Sequence, residues 1–222
     1  MDSLIASLPQ FIDGLKITIG LTIVSLLFAS ILGIIFAIIR VYGTKALSFL
    51  VYLYEKVMRG IPLLVIFFLI YYGSGQIGIN FDSFTAAIIG LALRGTAYQA
   101  QIYRSAIQSI PKGQMVAARS LGMTNFQAIR YIILPQMLRL SIPGWSNEFT
   151  IVLKDTSIAF SIGVIELMRQ GRYIYARDPD LILPVLLFIA LLYFITVIVI
   201  NKSLDYLEKK YRIPGYELKV ER

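Results

Sequence analysis

Five apolar stretches, each long enough to cross a lipid bilayer, constrain this chain more than anything else in it. A helix needs roughly 20 predominantly apolar residues to span the hydrocarbon, and segments of about 15–39, 47–72, 84–108, 134–153 and 181–203 meet that need. With 57% hydrophobic residues, the composition is that of an integral membrane protein rather than a soluble domain. The expected fold is therefore all-α, with about five transmembrane helices in one domain over 1–222. The first and last segments are clean, whereas the middle three carry polar groups.

The basic residues set the expected orientation. Arg40 and Lys45 follow the first segment; Arg104, Lys112, Arg119 and Arg130 separate the third from the fourth; Lys202, Lys209, Lys210 and Arg212 follow the fifth. Cytoplasmic loops carry the excess of Lys and Arg, which places the C-terminus inside and the N-terminus outside. The stretch 73–83 has no basic residue, as an outer loop should. Arg169, Arg172 and Arg177 fall on the supposed outer side, and an amphipathic helix over 162–175 lying at the outer surface accounts for them. The net charge of +8 belongs to this topology, so it points to no nucleic acid. The start, Met1-Asp2-Ser3, lacks the charged n-region and cleavage site of a secretory signal, so the first segment is expected to stay in the mature protein.

Other chemistry is excluded by what the chain lacks. It has no Cys and no His, which removes thiol and imidazole catalysis, the usual metal ligands and disulfides. No phosphate-binding Gly-x4-Gly-Lys-Ser/Thr loop occurs, so any ATP and Mg would be bound by a partner subunit. Asp82 and Asp155 sit in no catalytic motif.

Between Ser83 and Asn147 no acidic residue occurs, and the middle of that stretch is a basic, polar island. Its sequence reads helix, stop, helix. Ala117, Ala118 and Leu121 are expected to present one face of small side chains, Gly122 suits a left-handed helix end, and Thr124 with Gln127 forms a capping box. This island, with Ile133-Leu134-Pro135 after it, resembles the cytoplasmic coupling loop of the membrane-spanning subunits of ATP-binding-cassette importers. The match lies on Ala117, Ala118, Gly122, Leu134 and Pro135; the family's Glu falls at Val116. Four further stretches resemble the polar amino acid branch: Arg59-Gly60-Ile61-Pro62-Leu63-Leu64, Gly95 to Arg104, Leu134-Pro135-Gln136 with Leu138-Arg139, and Leu153-Lys154-Asp155-Thr156-Ser157.

That resemblance implies a permease of the bacterial inner membrane working by alternating access. Its coupling loop, about 109–133, would dock the ATPase through Ala117, Ala118, Arg119, Leu121 and Gly122. Expected partners are two ATP-binding-cassette ATPase subunits, a second permease copy or close homologue, an extracytoplasmic amino-acid-binding protein and membrane lipid.

Polar residues at membrane depth mark the pathway, because each costs roughly 2.5–3.5 kcal/mol to insert and so faces a partner helix or water. In the third segment Arg94, Tyr98, Gln101 and Ser105 share a face; in the fourth, Ser141, Gly144, Glu148 and Asp155 do. Such groups also serve as glue between helices, for which Glu148 with Arg94 is a candidate pair. Pro62 cannot donate to the carbonyl of Met58, so the second segment is expected to open around 59–63. A carboxylate in a pocket poor in water favours a cationic ligand. The expected substrate is thus arginine, lysine or histidine, meeting Glu148, with Asn147, Tyr98, Thr96, Gly60, Leu63 and Asp155 as further candidates. The alternatives are glutamine or glutamate in the same importer class, or a channel or carrier independent of ATP.

Overall fold

The first apolar run forms a single helix, α1 (Leu8–Tyr42), in a computed structural model that describes residues 6–211. Its buried positions, among them Ser25, Ala29, Gly33 and Ala37, recur every four residues and form a stripe of small side chains. Small stripes let helix backbones approach where no hydrophobic drive separates lipid from protein. The partner is α4 (Ser83–Ser109), where a Cβ on Gly33 would lie 2.7 Å from that of Gln99. The opposite face of α1 stays exposed through Ile23, Leu27, Phe28, Ile31 and Ile35, as lipid contact requires.

After Tyr42 the chain turns through Gly43 and Thr44, whose hydroxyl caps the helix α2 (Lys45–Gly60) by accepting from Leu47 N–H. Pro62 then ends α2, as the sequence predicts. The segment Leu63–Ile77 leaves at 103° to α2, first as α3 (Leu63–Phe68), then as a π-helical turn (Leu69–Gly73) and a 3-10 turn (Ser74–Ile77). The expected second span is therefore a sharply bent pair rather than one rod. Asp82 starts α4 by accepting from Phe84 and Thr85 N–H at 3.0 and 3.1 Å.

The island folds as α5 (Gly113–Ser120), a left-handed turn at Gly122 (φ +83), and α6 (Asn125–Ala128), opened by the expected capping box of Thr124 and Gln127. From Asn125 the chain stays helical through a π-helical turn (Ile129–Ile133), α7 (Leu134–Leu140), α8 (Ile142–Asp155) and a 3-10 stretch (Thr156–Ile162). The predicted fourth segment, 134–153, lies inside this longer helical course.

The amphipathic outer helix starts later than expected. Gly163, at φ +101, ends the 3-10 stretch, and Glu166 caps α9 (Leu167–Arg177) by accepting from Met168 and Arg169 N–H, both at 2.8 Å. The helix thus covers 167–177 instead of 162–175. Its apolar face packs with Phe11 of α1 and with Val185 and Ile189 of the last helix, α10 (Ile182–Tyr211). Arg169, one of the three basic residues on this side, donates to the carbonyl of Phe160 at 2.8 Å.

No strand occurs among the described residues. α1 and the segment Pro179–Tyr211 are each long and apolar enough to cross a membrane, as is the bent pair taken together. The third predicted segment falls on α4, whose polar stripe lowers its hydropathy, and the fourth on α7 with α8, of 7 and 14 residues, each too short by itself to cross. Arg212 and the Met1-Asp2-Ser3 start lie outside the described residues.

Candidate functional site: a charged cluster between the bent helix and α4

The 3.6-residue period brings the two predicted polar stripes onto facing sides of α4 and α8. Gly144 permits the approach, since a Cβ there would lie 2.8 Å from Cγ2 of Ile102. Glu148, one turn further on, is only 3% exposed. Arg94 donates through Nη1 to Oδ2 of Asp155, tying the outer parts of the two stripes together. Of the two carboxylates, Asp155 rather than Glu148 takes Arg94 as its ion-pair partner. The charges of Arg94, Asp155 and Arg59 all act on Glu148 across the site.

Tyr98 stands at the centre of the α4 stripe with two guanidinium groups on its ring. Arg94 lies 5.0 Å and Arg59 5.1 Å from the ring centroid, both within the range of cation–π attraction. Arg59 reaches Tyr98 because the last turns of α2 lie beside the middle of α4, where Tyr54 also donates to the carbonyl of Leu93 at 2.7 Å. Sequence reasoning used Arg59 only as part of a motif. The readable signal was a guanidinium beside a proline break at membrane depth, where charge needs a partner.

The other predicted residues separate into two groups. Gly60 is exposed, and a Cβ there would meet nothing within 4 Å; Asn147 is exposed on α8. Thr96 and Leu63 turn away from the cluster. Thr96 is fully buried, and its hydroxyl donates to the carbonyl of Ala92 at 2.7 Å. Leu63 belongs to the core with Leu21, Phe67 and Leu91. Thr96 lies two positions from Tyr98, about 200° around a helix, which explains its opposite facing. Lys154 is exposed and points away from Asp155, as neighbouring helical residues must.

The island offers a second surface. Val116 is 65% exposed and Leu121 82%, with Ala117 and Arg119 exposed beside them. Ala118, predicted on the same face, is instead buried at 4%, because it is offset by about 100° from Ala117 on the helix. Arg119 donates to the carbonyl of Met123 at 3.1 Å, holding the turn at Gly122.

Comparison with known proteins agrees with this architecture. The family model described as "Binding-protein-dependent transport system inner membrane component" matches residues 29–213. The chain is 41% identical over 209 residues to the probable amino-acid permease protein YxeN of Bacillus subtilis (strain 168), covering 93% of each. It is 32% identical over 209 residues to the glutamine transport system permease protein GlnP of Escherichia coli (strain K12), covering 93% of this chain and 95% of that one. The crystal structure of an amino acid ABC transporter with histidines superposes with a TM-score of 0.85 at 36% identity, covering 94% of this chain and 97% of that chain. The chain thus belongs to the inner-membrane components of binding-protein-dependent transport systems, permease subunits of ATP-binding-cassette importers whose ATPase activity lies in a separate subunit.

Proposed function

We propose that this permease imports a polar, cationic amino acid, arginine, lysine or histidine, through the cluster around Tyr98. The supporting observation is Glu148, a buried carboxylate on the α4-facing stripe with no ion pair among the described residues, Arg94 being engaged by Asp155 instead. A ligand cation would complete Glu148. Arg59, on the other side of Tyr98, would meet the α-carboxylate. Asn147 and the backbone around Gly60 are exposed nearby and complete the proposed contacts, whereas Thr96 and Leu63 serve packing.

In this reading the ATPases, each binding ATP and Mg, dock on Val116, Ala117, Arg119 and Leu121 next to the turn at Gly122, with Ala118 supporting the helix from within. A second permease, identical or homologous, completes the pathway, and an external binding protein delivers the amino acid.

A second reading, a neutral amino acid such as glutamine, is favoured by Arg59: with Arg94 neutralised, Arg59 and Glu148 balance, as the head group of a zwitterion requires. Equilibrium binding of arginine, lysine, histidine, glutamine and glutamate to the permease–ATPase complex, intact and with Glu148→Gln, separates the readings. Selective binding of the cationic set, lost in the variant, supports the first. Equal binding of glutamine and arginine supports the second, and binding indifferent to the substitution removes Glu148 from the site.

A further inference from the structure

The corner where α1 turns into α2 holds a group of cations that neither transport nor ATPase docking uses. An open cleft of about 320 Å³ there is lined by Arg40, Gly43, Lys45, Ser48, Phe49 and Tyr52. Arg40 is fixed in its wall. Its Nη1 donates to the carbonyl and the hydroxyl of Ser48, both at 3.1 Å, and its Nε lies 3.7 Å from Glu55, a side chain only 2% exposed. Nε has no hydrogen-bond partner among the described residues. Tyr52 stacks under two cations at once, with Arg40 at 5.1 Å and Lys56 at 5.6 Å from its ring.

Charge is uncompensated at this corner. Glu55 is the one carboxylate paired with Arg40, and Lys45 and Lys56 have no ion pair among the described residues. The corner lies at the inner end of α1, where the distribution of Lys and Arg places the cytoplasmic leaflet and its anionic lipids. An apolar apron surrounds it: Leu47, Phe49, Leu50 and Leu53 are all between 48% and 60% exposed. A soluble anion would use the cations and ignore that apron, whereas a phospholipid uses both. Gly43 shapes the corner, because a Cβ there would come within 2.5 Å of the carbonyl oxygen of Ile39.

We propose that this corner is a binding site for the phosphate of an anionic phospholipid, seated in the cleft at Lys45 beside Arg40, with Lys56 adding charge from across the Tyr52 ring and the acyl chains along Leu47, Phe49, Leu50 and Leu53. Arg40, held by Ser48 and Glu55, fixes the wall of the cleft, and the two lysines supply the unpaired charge. Head groups bound here fasten the α1–α2 corner to the inner leaflet.

The test is native mass spectrometry of the detergent-purified permease–ATPase complex titrated with dioleoyl phosphatidylglycerol, dioleoyl phosphatidylcholine or inorganic phosphate. Phosphatidylglycerol is expected to bind as a discrete adduct and phosphatidylcholine not to. Lys45→Gln with Lys56→Gln weakens phosphatidylglycerol binding about 30-fold, the factor given by two lysines worth about 1 kcal/mol each near an anionic surface. Lys45→Arg with Lys56→Arg retains it, which separates lost charge from lost folding. Lys209→Gln with Lys210→Gln removes the same charge elsewhere and leaves it unchanged. Equal loss in that control, equal binding of phosphatidylcholine, or displacement by an equal concentration of inorganic phosphate would each overturn the proposal.

Discussion

Arg94 of α4 and Asp155 of α8, 61 residues apart in sequence, form an ion pair that closes one end of the charged cluster. Both side chains are about four-fifths shielded from solvent, at 21% and 23% exposure. Removing one partner strands the other charge, which costs about 3–5 kcal/mol for a fully buried pair and less where water reaches it. Asp155→Asn is therefore expected to destabilise the purified complex by about 2 kcal/mol. Exchanging the residues, Arg94→Asp with Asp155→Arg, should recover part of the lost melting temperature. A double-mutant cycle with no recovery would show that the two side chains act independently.

Tyr98 connects two cations through one ring, so the ring and its hydroxyl are separable. Tyr98→Phe keeps both ring faces and should hold substrate affinity within about twofold, while Tyr98→Leu removes two cation–π contacts of about 0.5–1 kcal/mol each and weakens binding about tenfold. Equilibrium dialysis on the two variants checks this, and equal losses would assign the role to the hydroxyl.

Glu166 makes a prediction in pH. Burial pushes its carboxyl up to about 7, against the opposing hydrogen bonds from Met168 and Arg169 N–H and from the Tyr193 hydroxyl. A carboxyl raised in the folded state binds a proton there that the unfolded chain releases, so its contribution is full below about pH 4.5 and is lost as pH rises through about 7. The melting temperature should fall from pH 5 to pH 8 by a component that Glu166→Gln abolishes. A wild-type and variant difference that stays flat over this window would contradict the assignment.

The docking surface proposed on α5 can be tested through coupling. Leu121, 82% exposed, contributes little to this chain's own packing. Leu121→Asp should leave the permease's melting temperature unchanged and lower substrate-stimulated ATP hydrolysis in proteoliposomes by about tenfold, the loss of roughly 1.4 kcal/mol at an interface anchor. Unchanged stimulation would move the docking surface away from α5.

α1 packs on α4 with no room for a side chain at Gly33. Gly33→Val places side-chain atoms where the Cβ of Gln99 already lies, and overpacking of this kind costs about 1–3 kcal/mol. Fluorescence size-exclusion chromatography after heating should show the loss, and an unchanged melt would mean the helices separate freely.

Features governed by local chemistry were readable in the sequence. The Thr124–Gln127 box, the Pro62 break and the left-handed Gly122 each depend on a few neighbouring residues, and each is present. The two polar stripes were readable because a helix repeats every 3.6 residues. What escaped depends on how elements meet in space. Arg59 reaches Tyr98 only through the packing of α2 on α4, and no spacing encodes that packing. Ala118 and Ala117 are alike as residues, and only the rest of the chain decides which turns inward. The start of α9 was a different kind of miss: periodicity carried the helix back to 162, although Gly163 as a stop and Glu166 as a cap were both visible.

The helical course from Asn125 to Ile162 carries Tyr131 near one end, Glu148 in its middle and Asp155 beyond. Its one interruption is the turn at Ser141 between α7 and α8, whose backbone stays in the right-handed region at φ −84 and ψ −11. A displacement entering at the capping box consequently meets consecutive hydrogen-bonded turns, rather than an open loop, on its way to the charged cluster. The course changes pitch at the π-helical turn Ile129–Ile133 and again at the 3-10 stretch Thr156–Ile162. In mechanical terms, the chain places its lever and its load on one run of successive helical turns.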